Sequence, residues 1–183
     1  MWKDIPIVAA IALLILNLHR QVVGVDWSLG TGSFDSLGYH IPRALLWSWH
    51  GNFKPWRASV FQQIGAAYGG AATLLPLIFL GCGWLGAAWT AAALAVGAAT
   101  AVFVIGKSFG LTDRAALIAF LAFLSFPAVG LRFGDVSTDI AATFPVLAAV
   151  VFFRTAPTLQ QGVFRFVALV GLGVATTEFR VIQ

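Results

Sequence analysis

The chain has 183 residues, 60% of them hydrophobic and 10% charged, with a mean hydropathy of +0.90. Soluble domains carry about 25% charged residues, so this composition excludes a water-facing globule and predicts an all-α integral membrane protein. The net charge of +4 comes from basic residues scattered between apolar runs, which suits headgroup and topology anchors and excludes a nucleic-acid surface.

About 20 apolar residues cross the hydrocarbon as a helix, and the chain accommodates about five spans, or six. The first apolar run, residues 5–23, follows Met1, Trp2, Lys3 and Asp4. No small-residue cleavage site comes after it, so a retained anchor is expected rather than a signal peptide. Residues 24–63 turn polar and aromatic, with Trp27, Trp47, Trp49 and Trp56, and are expected to lie along the membrane interface. Within them, residues 37–50 carry Ile41, Leu45 and Leu46 at helical spacing, with Pro42 acceptable in a first turn and Gly51-Asn52 as a stop. That pattern predicts a short amphipathic helix parallel to the membrane.

Residues 66–80 are apolar but glycine-rich and broken by Pro76; they are expected to be interfacial or re-entrant. Cys82, between Gly81 and Gly83, is the single cysteine, so it forms no internal disulfide and reads as a small packing residue. Residues 85–106, 115–131, 140–153 and 163–176 are expected to span, joined by short connectors. Orientation follows from the basic residues. If 66–80 does not cross, Lys107, Arg114, Arg154 and Arg165 join Lys3 on one face, as the positive-inside rule prefers. Asp35 and the 132–139 connector then share the opposite, outer face. With six spans the bilayer would separate them.

The run Asp35-Ser36-Leu37-Gly38-Tyr39-His40-Ile41-Pro42-Arg43, followed by Trp47 and Gly51-Asn52, resembles the first outer loop of bacterial GT-C fold glycosyltransferases. There, an Asp, a Tyr-His-x-Pro-Arg run and an aromatic amphipathic helix follow the first span. Gly106 to Leu117 resembles the family's short cytoplasmic turn, and Ser137-Thr138-Asp139 its second outer-loop acid. Protein O-mannosyltransferases and lipid A aminoarabinose transferases share this architecture. The likeness covers the N-terminal half of a typical family member.

The resemblance implies transfer of a sugar from a polyprenyl-phosphate carrier to an acceptor, at the outer face of a bacterial inner membrane. Asp35 then matches the catalytic acid, as general base or acceptor-orienting group; shelter by Trp47 and Trp49 would strengthen it as a base. Asp139 matches the second acid, and Asp35 with Asp139 could share a divalent cation through oxygen ligands. His40, Arg43 and Arg132 would bind the carrier phosphate, Arg through its bidentate fork, with Tyr39 and Trp47 completing the substrate-binding set. Each residue also has a plainer reading. Asp35 and Asp139 suit helix caps, His40 a hydrogen-bonded interfacial histidine, Arg43 and Arg132 snorkelling anchors, and the tryptophans an interfacial belt.

Two features depart from the family pattern. The chain stops where further spans are usual, and Ala175-Thr176-Thr177-Glu178 stands where a basic turn is common. Gly69-Gly70, Gly81, Gly83, Gly86 and the Gly171/Gly173 pair suit close helix contact, so other transmembrane subunits are expected as partners beside membrane lipids. The runner-up is therefore a noncatalytic membrane subunit descended from the same fold.

Overall fold

The computed structural model describes residues 41–51, 83–126 and 138–176, with the single positions Val8, Ile11, Ala12, Ile15, Leu16 and Val129. The expected anchor at 5–23 and the 66–80 segment otherwise lie outside the described residues. Those described form five helices and no strand: α1 (Ile41–His50), α2 (Gly83–Ser108), α3 (Asp113–Ser125), α4 (Thr138–Arg154) and α5 (Leu159–Thr176).

Local chemistry sets the boundaries. In α1, Pro42 occupies the first turn, where its missing N–H is no loss. The helix stops at Gly51, whose φ of 63° is the left-handed conformation that glycine adopts cheaply. α2 ends in a Schellman motif. The N–H of Leu111 reaches the Gly106 carbonyl and that of Gly110, at φ 85°, reaches the Lys107 carbonyl. The Leu111 side chain folds back over Gly106, with its Cδ1 only 3.1 Å from where a Cβ would stand. The next residue, Thr112, caps α3, its hydroxyl accepting the Ala115 N–H at 3.3 Å. Thr158 caps α5 in the same way through the Gln161 N–H.

α3 is shorter than its apolar run. It stops at Ser125, and the next residue, Phe126, is extended at ψ 128° because Pro127 follows and disfavours helical backbone before it. At 1.5 Å per residue, its 13 residues reach about 20 Å, and the rest of the expected 115–131 span beyond Phe126, Val129 apart, lies outside the described residues. Of the described residues beyond Phe126, Val129 is buried and joins the core. The twenty residues Trp89–Ser108 of α2 are the one described stretch long and apolar enough to cross a membrane.

α2 is the centre of the packing, with α3 on one flank, α4 on the other, and α5 against α4. Alanines at 91, 92, 95, 98 and 99, spaced three and four apart, give α2 its buried faces. Ala92, Ala95 and Ala99 meet Leu124 and Val129. On the α4 side, a Cβ on Gly97 would stand 2.8 Å from the Phe144 ring. Gly173 seats α5 on α4, where its Cβ would meet Val146 at 2.9 Å and the Ala142 carbonyl at 3.3 Å.

Size is distributed inside out. Of the fifteen buried apolar residues among those described, eleven are alanine. Trp89, Ile118, Phe152, Phe164, Val167 and Leu172, by contrast, are half or more exposed or close to it. A fold driven by water would bury its largest apolar groups first. Hydroxyls on these helices bond to their own backbone: Thr100 to the Val96 carbonyl, Thr143 to that of Asp139 and Thr155 to that of Val151.

Candidate functional site

Helix α1 carries two of the expected site residues on one face. Arg43 and Trp47, four apart and hence stacked one turn above the other, are 0% and 3% exposed, with Ala44 buried beside them. The Arg43 guanidinium carbon lies 5.9 Å from the centre of the Trp47 ring, a cation–π pair along the helix. Both residues make further interactions, although the buried Arg43 Nε and Trp47 Nε1 donate no hydrogen bond. The complete burial of Arg43 rules out a snorkelling anchor, which keeps its charged head in water. Trp49, two residues after Trp47, points to the other side and is 75% exposed. Trp47 and Trp49 therefore face apart on the helix, and Asp35, which they were expected to shelter, lies outside the described residues.

Asp139 is the second residue of α4 and is exposed. Its backbone carbonyl accepts the Thr143 hydroxyl at 2.6 Å, and its carboxylate in the first turn complements the positive end of the helix. It thus lies inside the helix rather than ahead of it as a cap. Asp35, Tyr39, His40 and Arg132 lie outside the described residues. Among the described residues, no three or more His, Cys, Asp or Glu gather to hold a metal. An exposed carboxylate alone does not satisfy a hard cation that takes six or more oxygens, so Asp139 by itself makes no metal site.

A second cluster stands at the end of the bundle where α2, α3, α4 and α5 meet their connectors. Arg154, the last residue of α4, donates from Nη2 to the Ser108 carbonyl at the end of α2, 3.1 Å away. Its guanidinium lies 4.7 Å over the Phe109 ring. Lys107 donates to the Leu111 carbonyl and pairs with Asp113 at 2.7 Å. Close by, Phe153 of α4 meets Phe166 of α5 edge to face, with ring centres 5.9 Å apart. In the sequence, Lys107 and Arg154 read as topology markers, and Lys107 also falls in the run that resembles the family's cytoplasmic turn. The Arg154 latch joins residues 46 apart in sequence, and no local pattern announces it.

Asp139 and this basic cluster occupy opposite ends of α4, about 22 Å apart along the helix. That separation is common to the five-span and six-span arrangements. Comparison with known proteins finds no matching family model, no similar curated sequence and no solved structure that matches.

Proposed function

We propose that the chain is a membrane-embedded helical protein of the GT-C glycosyltransferase type, which moves a sugar from a polyprenyl-phosphate carrier to an acceptor hydroxyl at the outer face. The inside-out distribution of side-chain size supports the membrane part. In lipid, large apolar groups face outward without penalty and small residues mediate helix contact. The buried Arg43–Trp47 pair on α1 carries the transferase part. Arg43 and Trp47, two members of the expected substrate-binding set, share one face of α1 with the guanidinium 5.9 Å from the ring centre, and the arginine fork suits a lipid phosphate at headgroup depth.

In this reaction Asp35 takes the proton from the acceptor hydroxyl, and the oxygen attacks the anomeric carbon. The bond from that carbon to the carrier phosphate breaks, and the polyprenyl phosphate departs with its negative charge held by Arg43. His40 and Arg132 belong to the same phosphate-binding set, Tyr39 and Trp47 line the sugar, and Asp139 orients the acceptor from the start of α4. With α2, α3, α4 and α5 in place, the basic connectors face the cytoplasm and Asp139 faces outward.

Transfer by the full chain, reconstituted in lipid with a polyprenyl-phosphate sugar, tests the assignment. Activity is expected to vanish in Asp35→Asn while the protein still resists alkaline extraction from membranes; unchanged transfer in that variant rejects the role of Asp35. A noncatalytic subunit is the second reading, favoured by the outer face of α5, where Phe164, Val167 and Leu172 lie 75%, 62% and 55% exposed. Absence of any transfer, with stable co-purification of another membrane protein lost on changing that face, would establish it instead.

A further inference from the structure

We propose that the end of the bundle formed by the α2–α3 and α4–α5 connectors is a binding surface for anionic phospholipid headgroups. The inference rests on the membrane reading above and adds a ligand to it.

Among the described residues, the basic side chains of these helices gather at one end. At the connector end stand Lys107, Arg114, Arg154 and Arg165, all exposed, with Asp113 the single acid among the described residues there. At the other end of the same helices, the ionisable residue among those described is Asp139. The cations are also set in a particular frame. Arg154 is fixed by the Ser108 carbonyl and the Phe109 ring, and Lys107 by the Leu111 carbonyl and Asp113. The turn that carries Lys107 and Arg114 is itself rigid, closed by the Schellman bonds at Gly110 and Leu111 and by the Thr112 cap. Ordering a long side chain against a ligand ordinarily loses rotamer entropy, and for Arg154 and Lys107 the fold has already imposed that order.

Apolar groups accompany the charges. Phe109, Leu159 and Phe164 are 67%, 74% and 75% exposed at this end. Aromatic and aliphatic side chains around a ring of cations match the boundary between acyl chains and phosphates, where each basic residue near an anionic surface contributes about 1 kcal/mol. A soluble acidic partner would leave these rings in water. An anionic headgroup with its acyl chain satisfies both halves of the surface.

The test uses the full chain in mild detergent, titrated separately with phosphatidylglycerol and phosphatidylcholine, with retained lipid counted by native mass spectrometry. Phosphatidylglycerol is expected to bind in preference, and Arg114→Gln with Arg165→Gln to weaken it about 25-fold, at about fivefold per cation removed. Arg114→Lys with Arg165→Lys is expected to keep the preference, because the attraction is to charge. Equal retention of the two lipids, or an undiminished preference in the glutamine variant, overturns the proposal. Resistance to alkaline extraction is measured on the same preparations. Loss of protein to the wash defeats the membrane reading, whereas a protein that stays inserted but shows no lipid preference defeats this inference alone.

Discussion

The seam between α2 and α4 and the outer face of α5 are built from opposite materials. At the seam, Gly97 lets the Phe144 ring come within 2.8 Å of where its Cβ would be. On the outer face Phe164 and Val167 are largely exposed, and Gly171 has nothing within 4 Å of a would-be Cβ. The difference teaches that close approach, not burial of large apolar groups, determines which helices of this protein touch. Under the proposed membrane reading the outer face meets lipid, whereas in water a patch of this kind would mark an interface.

The largest effect is expected where that second conclusion is challenged directly. Val167 sits at the middle of α5 and is 62% exposed. Val167→Asp is expected to disfavour membrane insertion by about 3 kcal/mol, the cost of an aspartate at the centre of a spanning helix, read as the inserted fraction in a translocon assay. An unchanged inserted fraction, with more soluble protein, would put water on that face and break the comparison.

The seam is challenged by adding one methyl group. Gly97→Ala and Gly173→Ala are each expected to lower thermal stability in detergent by about 2 kcal/mol, because Phe144 in one case and Val146 with the Ala142 carbonyl in the other must shift. Gly171→Ala is expected to do the reverse, raising stability by up to about 1 kcal/mol through helix propensity alone. Two glycines on one helix thus give opposite signs, and like signs would show that α5 does not pack on α4 through Gly173. A third glycine acts through backbone conformation. Gly110→Ala is expected to cost about 1 kcal/mol, since φ at 85° is left-handed and nothing crowds its Cβ.

Much of this was legible in the chain, and the failures have a common cause. Pro42, Gly51 and the threonine before α3 state helix boundaries in local chemistry that needs no tertiary information. The shortening of α3 was written in Pro127 but concealed by hydropathy that continues through it. Trp47 with Trp49, and Gly171 with Gly173, look like pairs in sequence. Two residues along a helix turn the chain by about 200°, so the members of each pair face apart. Which member meets a neighbour depends on the rotation of the whole helix, and that is set by distant contacts. The expected site was legible only as a set of residue types. Arg43 and Trp47 proved to share a buried face, whereas Asp139 stands on another helix.

The smallest effect on stability is expected at Asp113, and it separates packing from surface charge. The Lys107–Asp113 pair is short at 2.7 Å, but the two side chains are 40% and 86% exposed, so solvent and salt screen most of its attraction. Asp113→Asn is expected to cost about 0.5 kcal/mol, falling as salt is raised, since the Thr112 cap and the Lys107 bond to the Leu111 carbonyl both remain. Its effect on lipid should have the opposite sign. Removing this acid from the connector end raises the local positive charge, and retention of phosphatidylglycerol is expected to rise by up to about fivefold. A variant that is slightly less stable yet holds anionic lipid more tightly would show that this end of the bundle is arranged for the headgroup it meets. Parallel losses in both measurements would make Asp113 a structural residue and leave Lys107 dependent on it.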